Sequence, residues 1–258
     1  MFGSRCGFLV TLALLVVAGG VFAVWPNIDL AVSQALFRGD GFVGGSLGWT
    51  IARDFFRIAP FVVIAGFVAL YLCHRRGVAV PYAPSGRAIV FLIATLVIGP
   101  GLIVHLGLKD HSHRPRPSHT QDFGGRDEFR PWYRFDGDCK KNCSFVSGEA
   151  SQGFWMLAPA SLAPPPLRPA AIAAALVFGA SASAVRVVEG GHYLSDVVLA
   201  ALLTIAILQI AYWLTFSASE RRDPAGRSAA RDLTPAVEPG VGAGLAPAAA
   251  PRNDGLQA

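Results

Sequence analysis

Long apolar runs separated by short charged segments limit most narrowly what this chain can fold into. A helix crossing a hydrocarbon core of about 30 Å needs about 20 apolar residues. Six stretches approach that length: 7–24, 58–73, 88–108, 149–163, 169–188 and 193–216. Hydrophobic residues make up 53% of the 258 and charged ones 15%, which excludes an ordinary water-soluble surface. The fourth run is the weakest and contains Pro159. The fourth and fifth are rich in Ala, Gly and Ser, residues that let helix backbones approach closely in lipid, so both are expected inside a bundle. The expected fold is all-α: a polytopic membrane helix bundle of about six transmembrane helices, with a structured periplasmic loop between the third and fourth.

Positive charge orients such a bundle. Arg5, then Arg75, Arg76 and Arg87, then Arg168, then Arg221-Arg222 all fall on one side, while the segment 26–53 is nearly neutral. The basic side reads as cytoplasmic, with both termini inside, and segments 109–148 and 189–192 land together on the opposite face. The first run also reads as a cleavable signal peptide, with Val21-Phe22-Ala23 as its cleavage site. Either reading leaves the remaining topology unchanged. From 218 to 258 apolar periodicity gives way to Ala, Pro, Gly and Arg, the composition of a disordered cytoplasmic tail behind a membrane domain over 1–217. The net charge of +5 is positive-inside and tail charge, with no nucleic-acid partner implied.

Against this apolar background the polar residues stand in three places. Lys109 closes the third run, and Pro115 and Pro117 stop a helix from continuing through Arg116. The two cations then converge from a helix end and a loop, either as interfacial anchors or as a grip on phosphate oxygens. Ser147-Gly148 opens the fourth run as a natural N-cap, and a helix start of this kind also suits an anion. Arg186, His192 and Asp196 carry the strongest local signal. Gly190-Gly191 breaks the chain, His192 is expected to open the last helix, and Asp196 follows one turn on, on the same face. A carboxylate there can hold one imidazole nitrogen and leave the other as a nucleophile.

Cys6 and Cys73 are expected to stay reduced. Cys139 and Cys143 share the outer loop and read as a disulfide closing Cys-Lys-Lys-Asn-Cys, or as half a metal site lacking its second pair of thiols; the disulfide is favoured. Asp110, His111 and His113 have no matching further ligand, so neither metal nor cofactor is expected.

The ordered pattern Lys109-x6-Arg116-Pro117, Ser147-Gly148-Glu149 and Arg186-x5-His192-x3-Asp196 resembles the type 2 phosphatidic acid phosphatase superfamily over about residues 88–215. The resemblance implies metal-free hydrolysis of a phosphate ester or diphosphate. His192 would attack phosphorus to form a phosphohistidine with Asp196 orienting it, and Lys109, Arg116, Ser147, Gly148 and Arg186 would hold the phosphate. Three positions depart from the family pattern: Val146 replaces a proline, Val185 a serine, and Glu149 the histidine that protonates the leaving group. A glutamate is ionised at neutral pH and nearby cations favour that form further. Glu149 is therefore either a catalytic proton donor or an electrostatic partner of Arg116, Arg186 or Lys109. If it is the latter, His105, His111, His113 or His119 serves as the acid, or the leaving group needs little help.

The loop over 123–145 mixes arginines with Phe129, Trp132, Tyr133 and Phe135, as an interfacial aromatic belt or a lid over a lipid headgroup. Asp122-Phe123-Gly124-Gly125 and the run from Cys143 to Ser151 look like bacterial lipid A phosphatases of the superfamily. That resemblance implies a phosphorylated membrane lipid as partner, met at the periplasmic face of the inner membrane. Lipid A comes first, polyprenyl diphosphate second, and phosphatidic acid or phosphatidylglycerol phosphate third. Vanadate-dependent haloperoxidases share the phosphate cradle, but the spans argue against them. A phosphate-binding membrane scaffold is the non-enzymatic alternative.

Overall fold

Ser4, Ser85 and Ser147 each start a helix the same way, the side-chain oxygen accepting a hydrogen bond from the backbone N–H three residues on, which satisfies one of the orphan donors of a first turn. In the computed structural model, which describes residues 4–217, α1 spans Arg5–Val24, α2 Asn27–Leu36 and α3 Leu47–Arg75. The fourth helix, α4, covers Gly86–Leu96 and continues in wider π-type turns over Val97–Lys109, a stretch that contains Pro100. Then come α5 Gly148–Phe154, α6 Leu157–Ser161, α7 Arg168–Val188 and α8 Leu194–Tyr212, with a final turn over Trp213–Ser217. Among the described residues there is no strand beyond two isolated bridges. The expected tail over 218–258 lies outside the described residues.

Among the described residues five helices are long and apolar enough to cross a membrane: α1, α3, α4, α7 and α8. The protein is a polytopic helical membrane bundle. The fourth apolar run is not a continuous span but the broken pair α5–α6. Pro159 has no N–H to donate to the carbonyl of Trp155, which instead accepts from Ala158 at 2.8 Å. All five residues of α6 are buried, and irregular backbone at membrane depth is tolerated where protein surrounds it.

Small residues seat this pair as expected. A Cβ on Gly153 would stand 3.0 Å from Ala182 Cβ and 3.2 Å from Gly179 Cα, so α5 and α7 touch almost backbone to backbone. Polar bonds cross the apolar interior as well: Trp155 Nε1 donates to Thr95 Oγ1 at 3.0 Å, and the Ser151 and Thr204 hydroxyls lie 2.7 Å apart. Such interhelical bonds average about 0.6 kcal/mol each.

Two elements differ from the sequence reading. The 29-residue α3 starts at Leu47, well before residue 58. At 1.5 Å per residue it is about 43 Å long, more than the hydrocarbon core requires, and its first turns carry Arg53 and Arg57. The segment read as a neutral connector contains α2, whose Asp29 and Ser33 are buried. The first helix is a packed member of the bundle. It lies against α8, buries Thr11, Gly19 and Phe22, and accepts a hydrogen bond on the Gly19 carbonyl from Trp132 Nε1 at 3.1 Å. Ser4 and Arg5 line one apolar groove with Trp213 and Leu214, so both described ends meet at one end of the bundle, away from Lys109, Ser147 and His192.

Candidate active site

His192 sits in the tight loop between α7 and α8 and is 1% exposed. It does not open the last helix. Tyr193 is the N-cap of α8, and Asp196 caps it by accepting from the Tyr193 N–H at 2.9 Å. His192 Nδ1 lies 2.7 Å from the Ser144 carbonyl oxygen and 3.7 Å from Asp196 Oδ2. A carbonyl oxygen can only accept, so Nδ1 carries the proton and Nε2 presents its lone pair. Nε2 is buried and has no hydrogen-bond partner. Burial pushes the imidazole down to about 4, against an upward pull from Asp196 and with a further downward push from Arg186. The ring is therefore neutral at physiological pH. Ser144 is the orienter that local spacing missed: its carbonyl holds His192 while its hydroxyl donates to Asp196 Oδ2 at 2.5 Å.

Behind this pair lies a buried ionic network. Arg114, fully buried, donates from Nη1 to Asp196 Oδ1 at 2.5 Å and to Ser195 Oγ at 2.8 Å. Its Nη2 donates to Asp29 Oδ2 at 2.7 Å and its Nε to the Arg130 carbonyl at 2.8 Å. Asp29 in turn accepts from the Ser195 backbone N–H at 2.8 Å and the Ser195 hydroxyl at 2.6 Å. The guanidinium lies 4.4 Å from the centre of the Tyr193 ring, a cation–π contact. Sequence reasoning passed over Asp29 and Arg114. The signal for Arg114 was its place as the first arginine of Arg114-Pro115-Arg116-Pro117.

The expected phosphate ligands gather on the cleft side of His192. Lys109 ends α4 and is buried. Arg116 donates from Nε and Nη2 to the Asn142 carbonyl at 3.3 and 3.0 Å. Burial lowers the Arg116 guanidinium below the usual arginine range, and Arg186 and Arg53 lower it further, a repulsion that a bound anion would relieve. Arg186 is 3% exposed and its guanidinium lies against Gly191, where a Cβ would meet Nη2 at 2.2 Å, so a side chain at 191 would make the guanidinium shift. Ser147 Oγ caps α5 by accepting from Ala150 N at 3.2 Å, and Gly148 reaches the cleft wall.

Glu149 is tied up rather than poised. Arg53 Nε lies 3.0 Å from both its carboxylate oxygens and Arg53 Nη2 2.6 Å from Oε1, while Arg186 Nε lies 3.2 Å from Oε2. Burial raises this carboxyl, but the Arg53 hydrogen bonds and the charges of Arg186, Arg53 and His192 bring it below the ordinary glutamate range. Glu189 pairs with Arg186 and stands 3.8 Å from Arg53. The electrostatic-partner reading of Glu149 fits this geometry, with Arg53 as the unforeseen partner. Four cations (Arg53, Lys109, Arg116, Arg186) and two carboxylates (Glu149, Glu189) leave two positive charges in excess, a match for a phosphomonoester dianion. The adjoining cleft, of about 700 Å³, is lined by Arg53, Lys109, Arg116 and Glu149 at its polar end and by Phe61, Leu96, Leu102 and Leu106 along its apolar wall.

The surrounding loop is stitched to the site. Cys139 and Cys143 form a disulfide, and the ring they close, with the residue after it, bonds back to the 109–116 segment: Cys143 N to the Lys109 carbonyl at 3.3 Å, Ser144 N to the Arg114 carbonyl at 2.8 Å, Asn142 N to Asp110 Oδ1 at 3.3 Å. His111 and His113 are engaged through Nδ1 with the carbonyls of Gly107 and Cys139. Among the described residues no group of three or more potential metal ligands is gathered. Phe129 packs edge-on to Tyr193, and Trp132 stacks beside Phe145, whereas Tyr133 and Phe135 are exposed. Arg130 and Arg134 pair with Glu128 and Asp136 of their own loop. In the Asp122–Gly125 string, Phe123 is wedged between Phe37 and Phe42.

Comparison with known proteins gives the family. The PAP2 superfamily profile matches residues 85–220. The lipid A 4'-phosphatase of Francisella tularensis subsp. novicida (strain U112) is 33% identical over 203 residues, which cover 77% of this chain and 91% of that protein. That of Rhizobium leguminosarum is 34% identical over 218 residues, covering 79% and 94%, and that of Rhizobium etli 33% identical over 218 residues, covering 79% and 85%. No solved structure matches the chain. With the matched segment holding His192, Asp196, Arg186, Lys109 and Arg116, and relatives aligned over most of their length, the chain belongs to the PAP2 superfamily.

Proposed function

We propose that this protein is a lipid A phosphatase that removes the 4'-phosphate at the periplasmic face of the inner membrane. The observation that carries the reading is a neutral His192, its Nε2 unpartnered, at the buried end of a cationic cluster that opens into an apolar-walled cleft. The polar end suits a phosphomonoester and the apolar wall an acyl chain, so the lipid stays partly in the bilayer while its phosphate reaches the cations. The 4'-position comes from the relatives' activity.

His192 Nε2 bonds to phosphorus as the phosphorus–oxygen bond to the sugar breaks, and the sugar oxygen leaves as a hydroxyl after taking a proton. Lys109, Arg116 and Arg186 hold the non-bridging oxygens, with the Ser147 hydroxyl and the Gly148 N–H beside them. Pre-set donors of this kind act where charge develops. Water oxygen then bonds to phosphorus as the nitrogen–phosphorus bond breaks, releasing inorganic phosphate and restoring His192. Asp196 and Ser144 keep Nδ1 protonated and the ring aimed.

The test is mass spectrometry of lipid A from cells expressing wild type or His192→Ala. Wild type should shift lipid A by one phosphate from the 4'-position, and the variant should not. A variant as active as wild type, or a change confined to polyprenyl diphosphate, would refute the proposal.

A further inference from the structure

We propose that Arg53 is a catalytic residue that receives the leaving-group oxygen, that Glu149 is the carboxylate that positions it, and that water supplies the proton. The proposal rests on the phosphatase reading above.

Arg53 stands on α3, outside the segment that matches the family. Its Nε and Nη2 are fixed on Glu149, which leaves Nη1 to another acceptor. Side-chain exposure rises outward from the nucleophile: 1% at His192, 4% at Arg186, 20% at Glu149 and 33% at Arg53. In-line displacement puts the departing oxygen on the far side of phosphorus from Nε2. Arg53 lines the cleft wall beside Lys109 and Arg116, so a phosphate held by those two cations and attacked from the buried Nε2 turns its departing oxygen toward Arg53.

Glu149 is the side chain from which a proton donor would be expected. Bracketed by Arg53 and Arg186, it is an ionised acceptor with no proton to give. What the pair offers instead is a guanidinium, always charged and held in a fixed plane. As the phosphorus–oxygen bond breaks, the oxygen gains charge against an Arg53 N–H and takes a proton from a cleft water. The hydroxide left behind attacks the phosphohistidine, and phosphate leaves as Nε2 recovers its lone pair. The sum is one ester and one water consumed, one alcohol and one phosphate formed.

The test uses the purified full-length protein in detergent, with lipid A and p-nitrophenyl phosphate as substrates. The second ester has a leaving group that is stable as an anion. Arg53→Ala should lower kcat on lipid A by about 10²- to 10³-fold, the usual cost of losing one donor to a developing oxyanion, and should lower it far less on the nitrophenyl ester. Arg53→Lys, which keeps the charge, should recover part of the loss with an unchanged melting temperature. Glu149→Gln should reduce both reactions modestly.

Three results overturn the proposal: Arg53→Ala acting like wild type, Arg53→Ala losing equally on both esters, or Glu149→Gln abolishing lipid A turnover while sparing the nitrophenyl ester. The last would make Glu149 the acid. His192→Ala run alongside separates the two levels, because an active His192→Ala refutes the phosphohistidine reading itself, whatever Arg53 does.

Discussion

Arg114 is a single residue on which the site's rigidity converges. It spends Nε, Nη1 and Nη2 on partners from three segments and lays its plane over Tyr193. Lysine offers a point charge without that fork. Arg114→Ala leaves Asp29 and Asp196 buried without their cation, and breaking a buried pair costs about 3–5 kcal/mol. A detergent-solubilised Arg114→Ala protein should melt well below wild type and lack activity, and Arg114→Lys should fall between. His192 gives the second prediction at this scale. Its imidazole is lowered from 6.5 to about 4 chiefly by burial. Below the unfolded value the unfolded chain takes up a proton that the folded chain refuses, so this contribution to stability is whole above pH 6.5 and is lost as pH falls toward 4. The melting temperature should decline across that window, and His192→Gln should flatten the decline. The nucleophile itself stays neutral throughout the window, so kcat should not lose its histidine-dependent part until pH approaches 4.

Among the elements, the disulfide-closed ring is the one whose integrity the site most needs. It reaches Arg116 through the Asn142 carbonyl, meets the end of α4 through Cys143 N, and runs directly into Ser144, which aims His192. Reduction, or Cys139→Ser with Cys143→Ser, should lower kcat/KM by about 10-fold or more, since misplacing a binding group by about 1 Å can cost up to 10². The change should appear in turnover with little loss of α-helical circular dichroism; unchanged kinetics would show the ring to be dispensable. The helices themselves were legible in the chain because span length and small-residue content are local properties. The break between α5 and α6 was foreshadowed by Pro159 alone. Lys109, Arg116, Ser147, Arg186 and His192 were legible because each is fixed by its own segment's helix end or glycine break. Arg53, Asp29 and Arg114 were not, because their meaning lies in partners far along the chain: Arg53 meets Glu149 across 96 residues and Arg114 meets Asp29 across 85. Pairings at that separation leave no periodic trace. For the same reason the i, i+4 spacing of His192 and Asp196 suggested a direct bond, whereas the chain brings Ser144 between them from 48 residues away.

On the scale of the whole molecule, the two ends of the bundle have different charge logic. At one end the helices begin or finish in Arg5, Arg75, Arg76, Arg87 and Arg168, close to the membrane boundary and joined by short loops. At the other, Arg53, Lys109, Arg114, Arg116 and Arg186 are drawn into the site, and Arg130 and Arg134 pair with carboxylates of the long loop. Only the first pattern orients a membrane protein, because the orienting bias is carried by short loops near span ends. The first end should therefore be cytoplasmic and the His192 end periplasmic. Cys6 at the start of α1 and Cys73 near the end of α3 are both exposed free thiols at the first end, so the native chain carries its own probes. A membrane-impermeant maleimide added to cells with only the outer membrane opened should leave both unlabelled, and lysis of the inner membrane should expose them. In a Cys6→Ser, Cys73→Ser background, Ser118→Cys, exposed beside the site, should label before lysis. Labelling of the native cysteines from outside would invert the topology and put the site in the cytoplasm, where the Cys139–Cys143 disulfide would face reduction; that coupling makes orientation and the integrity of the site one question.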